Sequence, residues 1–150
     1  MKHIGKTLAW WYWFATIGLF GTTLLAPSQN ALAATLALTA LQAVHFRLKT
    51  GDWRAFPVQV RLAFLAVLAA GSWGPVAFIH WMQLGGTVVR VVLDYCVLAR
   101  TLSLMPWNRS TPLDAALLRN TYFTPPSRWR FVPPVRDQVA AKGTEDRVRA

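Results

Sequence analysis

Long uncharged stretches alternate with short basic segments along the first two thirds of the chain. No Asp, Glu, Lys or Arg occurs from Thr7 through Val44, and a second such stretch runs from Leu62 through Val89. A helix needs about 20 mostly apolar residues to cross a bilayer. Backbone in hydrocarbon must also pair its polar groups internally, which a helix does. The pattern therefore predicts an all-α integral membrane protein.

Turn residues divide these stretches into four transmembrane helices that form an antiparallel bundle. A first turn is predicted at 27–30, where Pro, Ser and Asn cluster, and a second at Gly74-Pro75. The predicted spans are 7–26, 30–46, 57–73 and 76–105, followed by a tail over 106–150. The second span has Asn30 as its N-cap. An alternative break near His80 would bury Arg90 deeper in lipid, so one long fourth helix is favoured.

The basic residues predict the orientation of the spans, because cytoplasmic loops are enriched in Lys and Arg. Basic side chains precede the first span, separate the second from the third and follow the fourth: Lys2, Lys6, Arg47, Lys49, Arg54, Arg61 and Arg100. The other two turns carry no charge. Both termini are therefore expected in the cytoplasm, with the protein in the inner membrane. A cleaved secretory signal ending at Ala31-Leu32-Ala33 is the alternative, although the apolar run is longer than the usual 7–15 residues.

Composition agrees with a membrane location and removes several function classes. Hydrophobic residues make up 54% of the 150 positions and charged residues 15%, against roughly 25% charged in a soluble domain. The net charge is +10, and the basic residues that produce it are concentrated in the predicted loops and the tail. The charge therefore reports the orientation of the spans, and no nucleic-acid partner is predicted. The sequence contains no HExxH, GxSxG, P-loop or GxGxxG motif. An enzyme acting on a lipid or quinone is therefore a third class rather than the leading one.

The fourth span carries a polar stripe at helical spacing. Its residues follow each other at intervals of three or four: His80, Gln83, Thr87, Arg90 and Asp94. Arg90 and Asp94 are four apart and can pair on one face. Charged groups inside a span are functional candidates by default. The stripe is interpreted either as a structural pair facing other helices or as a binding site for a ligand, proton or partner.

Further polar and small residues predict helix packing rather than chemistry. Thr35, Thr39 and Gln42 lie on one face of the second span, and small or hydroxyl residues mark helix interfaces in membranes. Cys96 is also interpreted as a packing residue. No cofactor is predicted. A haem or chlorin held by His45 or His80 is the alternative, since imidazole is a common ligand.

The tail has a composition of its own, with six of the nine prolines, eight basic residues and four acidic ones. A cap at Thr111 followed by Pro112 predicts a short interfacial helix over about 112–119. Farther along, Arg and aromatic residues alternate, and these are the candidate docking residues: Arg128, Trp129, Arg130 and Phe131. They suit either anionic lipid at the cytoplasmic face or a groove on a partner.

The leading functional hypothesis is a non-catalytic accessory subunit of a larger inner-membrane complex. Short loops leave little room for a substrate cavity, and both the tail and the polar stripe suit contacts with other integral membrane proteins. The alternative is a small oligomeric transporter or channel, in which the stripe from His80 to Asp94 lines a polar path.

Overall fold

Six α-helices and one 3-10 turn make up the residues that this computed structural model describes, 8–26 and 28–126. Their order is α1 (Leu8–Leu25), α2 (Gln29–Thr50), α3 (Phe56–Gly71), the 3-10 turn (Gly74–Val76), α4 (Phe78–Leu93), α5 (Val97–Ser103) and α6 (Ala115–Phe123). The described residues contain no strand. The prediction of an all-helical fold is therefore confirmed for these residues.

The chain divides into two compact units, 1–98 and 99–150, with the boundary inside α5. In the first unit, α1 and α3 each pack against both α2 and α4. The four helices thus form a closed ring in which every helix contacts two others. The ring closes between the beginning of α1 and the end of α4, where the Trp10 indole Nε1 donates to the Val91 carbonyl at 3.3 Å.

The ends of α2 and α3 show how the chain enters and leaves its helices. Ser28, in extended conformation, is the N-cap of α2, two residues before the predicted Asn30; its carbonyl accepts the Leu32 N–H, and its side chain makes no capping hydrogen bond. Gly51 ends α2 with φ of +76° and donates its N–H to the Arg47 carbonyl, a conformation that glycine adopts without strain. Pro57 stands in the first turn of α3, where its missing N–H costs nothing.

The fourth predicted span differs most from its sequence-based prediction. Instead of one helix over 76–105, the chain forms a 3-10 turn around Pro75, then α4, a break at 94–96 and α5. Asp94 ends α4 because it adopts a left-handed conformation with φ of 55°. Asp tolerates that conformation better than most residues, so the helix ends without a Pro or Gly to signal it.

Polar and apolar residues are arranged in the reverse of a water-soluble bundle. Polar side chains are about as frequent inside the first unit as apolar ones: Thr16, Thr23, Thr35, Thr39, Gln42, Arg61, His80 and Thr87 are all buried. Large apolar side chains point outward instead, among them Trp11, Phe14, Leu41, Val44, Phe78, Trp81, Met82 and Val92. Scattered exposed apolar residues are common, but this many large ones on the outside of one small bundle indicate an interaction surface.

Two of the helices, α1 and α2, are long and apolar enough to cross a membrane, which indicates membrane association. A third candidate arises if α4 and α5 are taken together as one broken span. Helix α3 is apolar but has only 16 residues.

The second unit is built around Arg100 and α6. The Arg100 side chain is buried and its Nη1 donates to the Thr121 carbonyl, while the hydroxyls of Thr101 and Tyr122 lie 3.0 Å apart. Helix α6 begins later than the predicted 112–119 helix, because Asp114 and not Thr111 is the N-cap. Its carboxylate accepts the Leu117 N–H, which satisfies one of the open donors of the first turn.

Among the described glycines, Gly71 on α3 has the tightest surroundings, because α4 approaches it closely. A Cβ added at Gly71 would lie 2.4 Å from the His80 ring carbon Cδ2, whereas one added at Gly85 would meet nothing within 4 Å. We expect Gly71→Ala to lower the free energy of unfolding by roughly 1–3 kcal/mol, because overpacking displaces the ring. Gly85→Ala should leave stability unchanged or raise it slightly.

Unfolding the detergent-solubilised variants by heat or by SDS measures the change in the free energy of unfolding for each glycine substitution. The double variant Gly71→Ala with His80→Ala should recover part of the loss, since the ring that clashes is gone. Equal stability of Gly71→Ala and Gly85→Ala would contradict the close approach.

Candidate functional site: the polar interior of the bundle

The predicted polar stripe lies on α4 and at its C-cap, and most of it faces the bundle interior. His80 and Thr87 are buried, and Gln83 is half-buried. Arg90 is half-buried near the helix end, and Asp94 is exposed. The structure therefore places four of the five residues on one helix and brings the first three against neighbouring helices.

His80 and Gln83 join α4 to α3 through backbone carbonyls. His80 Nε2 lies 3.0 Å from the Leu68 carbonyl oxygen, and since a carbonyl only accepts, this nitrogen is the protonated one. Gln83 Nε2 donates to the Phe64 carbonyl at 2.8 Å. These two bonds hold α3 and α4 in antiparallel register and occupy His80 Nε2 and Gln83 Nε2, whereas Gln83 Oε1 has no partner among the described residues.

The two ends of the stripe have different surroundings. Thr87 donates its hydroxyl to the Gln83 carbonyl at 2.7 Å, within its own helix. Arg90 Nη1 and the Asp94 carboxylate form the predicted ion pair, with side-chain exposures of 28% and 75%. A pair this exposed to water contributes about 1 kcal/mol or less to stability, so its presence alone does not explain why Arg90 lies there.

A second polar seam joins α1 to α2. Gln42 is 1% exposed, and its Nε2 donates to the Thr16 hydroxyl at 2.9 Å. Nearer the other end of the two helices, the hydroxyls of Thr23 and Thr35 lie 3.4 Å apart. The face predicted for helix packing on the second span is thus the face that packs, and Thr16 and Thr23 on α1 are its partners.

Arg61 is the interior residue that sequence reasoning missed. It was counted among the basic residues that set topology, yet it is 3% exposed and sits inside the bundle. Its guanidinium carbon lies 3.5 Å from the ring centroid of Phe46 and 5.8 Å from that of Trp13. The sequence does carry one indication of its burial: Arg61 lies one turn inside an apolar helix, where charged residues are rare.

Some interior polar atoms have no hydrogen-bond partner among the described residues. These are Gln42 Oε1, Gln83 Oε1, Arg61 Nε and Arg47 Nε. An unsatisfied buried polar group costs roughly 1–3 kcal/mol, so water or a bound group at these atoms would stabilise the bundle.

The two candidate haem ligands lie apart. His45 packs edge-on against Tyr12 and His80 against Phe20, and these two α1 residues are separated by about 12 Å of helix at 1.5 Å per residue. The two imidazoles therefore do not converge on one iron. Among the described residues no group of three or more His, Cys, Asp or Glu side chains is arranged to hold a metal ion.

The candidate docking residues of the tail, Arg128, Trp129, Arg130 and Phe131, lie outside the described residues. The part of the tail that is described contains α6. Its flanks expose apolar side chains at Leu113 and Phe123.

No known protein family matches the chain, and no curated protein or solved structure shows significant similarity to it.

The Gln83 bond to α3 gives a direct test of how the stripe acts. Gln83→Leu should lower the free energy of unfolding by about 0.6–1.7 kcal/mol, the range measured for hydrogen bonds between membrane helices. Gln59→Leu is the control: Gln59 is half-buried near the start of α3, and its Nε2 donates to the Arg54 carbonyl just before the helix rather than to α4, so this change should lower the free energy of unfolding by less. Chemical unfolding in detergent measures both. A larger loss for Gln59→Leu would mean that Gln83 does not join the two helices.

Proposed function

We propose that the protein is an integral inner-membrane protein that acts as a non-catalytic accessory subunit of a larger membrane complex. The observation that supports this most directly is the reversed bundle, with hydrogen-bonded polar groups inside and large apolar side chains outside. In water such a surface would aggregate. In a bilayer it is the surface that lipid and other transmembrane helices cover.

In the proposed arrangement α1 to α4 lie in the bilayer with both termini in the cytoplasm. The connection between α2 and α3 is basic, whereas the turn between α1 and α2 is uncharged. Helices α3 and α4 have 16 residues each, about 24 Å at 1.5 Å per residue. This is shorter than a hydrocarbon core of about 30 Å, and local thinning of the bilayer accommodates such helices.

A subunit role is favoured over a transport role by the way the α4 stripe is used. His80 and Gln83 donate to carbonyls of α3, and Thr87 donates within α4. Groups that line a path must be free to exchange partners with the substrate, whereas these groups join the bundle. The chain then offers its partners the apolar exterior and the tail with Arg128–Phe131.

The second candidate is the small oligomeric transporter or channel. The unpartnered atoms Gln42 Oε1, Gln83 Oε1 and Arg61 Nε favour it, because buried polar atoms of this kind suit a hydrated interior. The two candidates differ in what Arg90→Ala does. A subunit whose partly exposed Arg90 contacts a partner should insert but release that partner, whereas a transporter should assemble normally and lose flux.

The topology is tested with single cysteines in a Cys96→Ser background. Ser28→Cys, before α2, should react with a membrane-impermeant maleimide in intact cells. Thr50→Cys, at the other end of α2, should react only after the membrane is permeabilised. Both positions are solvent-exposed, so a difference in labelling reports their side of the membrane. Equal labelling of both cysteines in intact cells would contradict the proposed spans.

The subunit role is tested by purification in mild detergent with mass spectrometry of what remains bound. Wild-type protein should retain other integral membrane proteins in stoichiometric amounts. Replacing Arg128, Trp129, Arg130 and Phe131 together by Ala should reduce that partner at least tenfold, while a scrambled version of residues 132–150 should retain it. A homo-oligomer without a partner would instead support the transporter.

A further inference from the structure

The inner end of the bundle, where α1 and α3 begin and α2 and α4 end, contains a buried positive charge. The Arg61 guanidinium points back along its own helix, because Nη1 donates to the Pro57 carbonyl at 2.7 Å. It lies over the Phe46 ring, and its Nε has no partner. Among the described residues no carboxylate pairs with it. Aromatic faces attract a cation, but they do not neutralise its charge.

The register of α3 and α4 brings a second cation to the same end. Gln83 bonds to the backbone at Phe64, and His80 bonds at Leu68. Continuing this antiparallel pairing toward the inner end places Arg90 opposite Pro57, the residue that Arg61 reaches. Arg90 also lies close enough to Arg61 for the two charges to interact, and Tyr12 packs against the same Phe46 ring that the Arg61 guanidinium covers.

Charge at this end does not balance. Arg90 forms its ion pair with Asp94, and this carboxylate is therefore already used. Arg47 and Lys49 in the last turn of α2 add two more positive charges at this end, so positive charge there exceeds negative charge. Removing an ion from water without a partner costs several kcal/mol, so a fold that places Arg61 here favours an anion from outside the chain.

We propose that Arg61 and Arg90, with Tyr12 beside them, bind the phosphate of an anionic phospholipid of the cytoplasmic leaflet. The proposal rests on the membrane placement given above. A guanidinium presents two parallel N–H donors that match phosphate oxygens, and basic pockets between transmembrane helices on this side bind anionic headgroups. Arg90, with a side chain 28% exposed, gives the headgroup its access, and Arg61 lies behind it.

The depth of the two arginines favours lipid over an acidic residue of a partner helix. Arg90 stands three residues before the last residue of α4, about 5 Å at 1.5 Å per residue. The Arg61 guanidinium lies beside the first turn of α3, where its Nη1 donates to the Pro57 carbonyl. Both guanidinium groups therefore lie near the inner ends of the helices, within reach of headgroup phosphates where the bilayer thins around these short helices, whereas a buried acidic partner would be expected nearer the middle of the helices.

The experiment uses full-length protein in nanodiscs of phosphatidylcholine with a minority of phosphatidylglycerol, ejected and weighed by native mass spectrometry. Wild type should retain one phosphatidylglycerol. Arg61→Gln and Arg90→Gln should each reduce its retention about tenfold or more, the effect of losing one charge-assisted hydrogen bond. Arg54→Gln removes the same charge from an exposed loop position and should retain the lipid. Arg90→Gln tests the site even if Arg61→Gln does not fold.

Three results would overturn the proposal. If Arg54→Gln reduces phosphatidylglycerol retention as much as Arg61→Gln or Arg90→Gln does, the lipid is attracted diffusely to the whole basic face. Equal retention of inorganic phosphate in pure phosphatidylcholine discs would indicate a site for the free anion. Displacement of the lipid by a co-purified partner subunit would assign the charge to a protein carboxylate. Maleimide labelling and partner retention in the same variants separate failure of this site from failure of the membrane placement.

Discussion

Hydrogen bonds that cross from one helix to the next are the interaction on which the bundle depends. Gln42 bonds to Thr16 between α2 and α1, while Gln83 and His80 bond to carbonyls of α3. With apolar side chains covering the exterior, burying more apolar surface does not distinguish one packing from another. Specific polar contacts and the close approach of neighbouring helices do distinguish one packing from another. They set which helices pair and in what register, and so they decide where Arg61 and Arg90 lie.

The sequence predicted what depends on short-range chemistry. Uncharged stretches and turn residues located α1, α2 and α3 to within a few residues of their observed ends. The spacing of His80, Gln83 and Thr87 predicted that they share a face. The break after α4 was missed because it rests on the backbone of one residue, Asp94, and neither Pro nor Gly marks it.

What the sequence did not reveal depends on contacts between distant segments. Arg61 looked like any basic residue near the end of a span, and its burial follows from Phe46 and Trp13 on two other helices. Arg100 was likewise read as a topology signal, although it is buried against the backbone at Thr121. Periodicity tells which residues share a face of one helix, but not which of them another helix will cover.

Closure of the ring has a consequence for biogenesis. The bond from Trp10 to Val91 joins residues 81 positions apart, and α1 contacts both α2 and α4. During synthesis, one face of α1 therefore lacks its packing partner until the ribosome has made α4. The face that stays uncovered is the one that later packs against α4. Removal of α1 would also uncover the buried side chains of Gln42, Thr35 and Thr39 on α2.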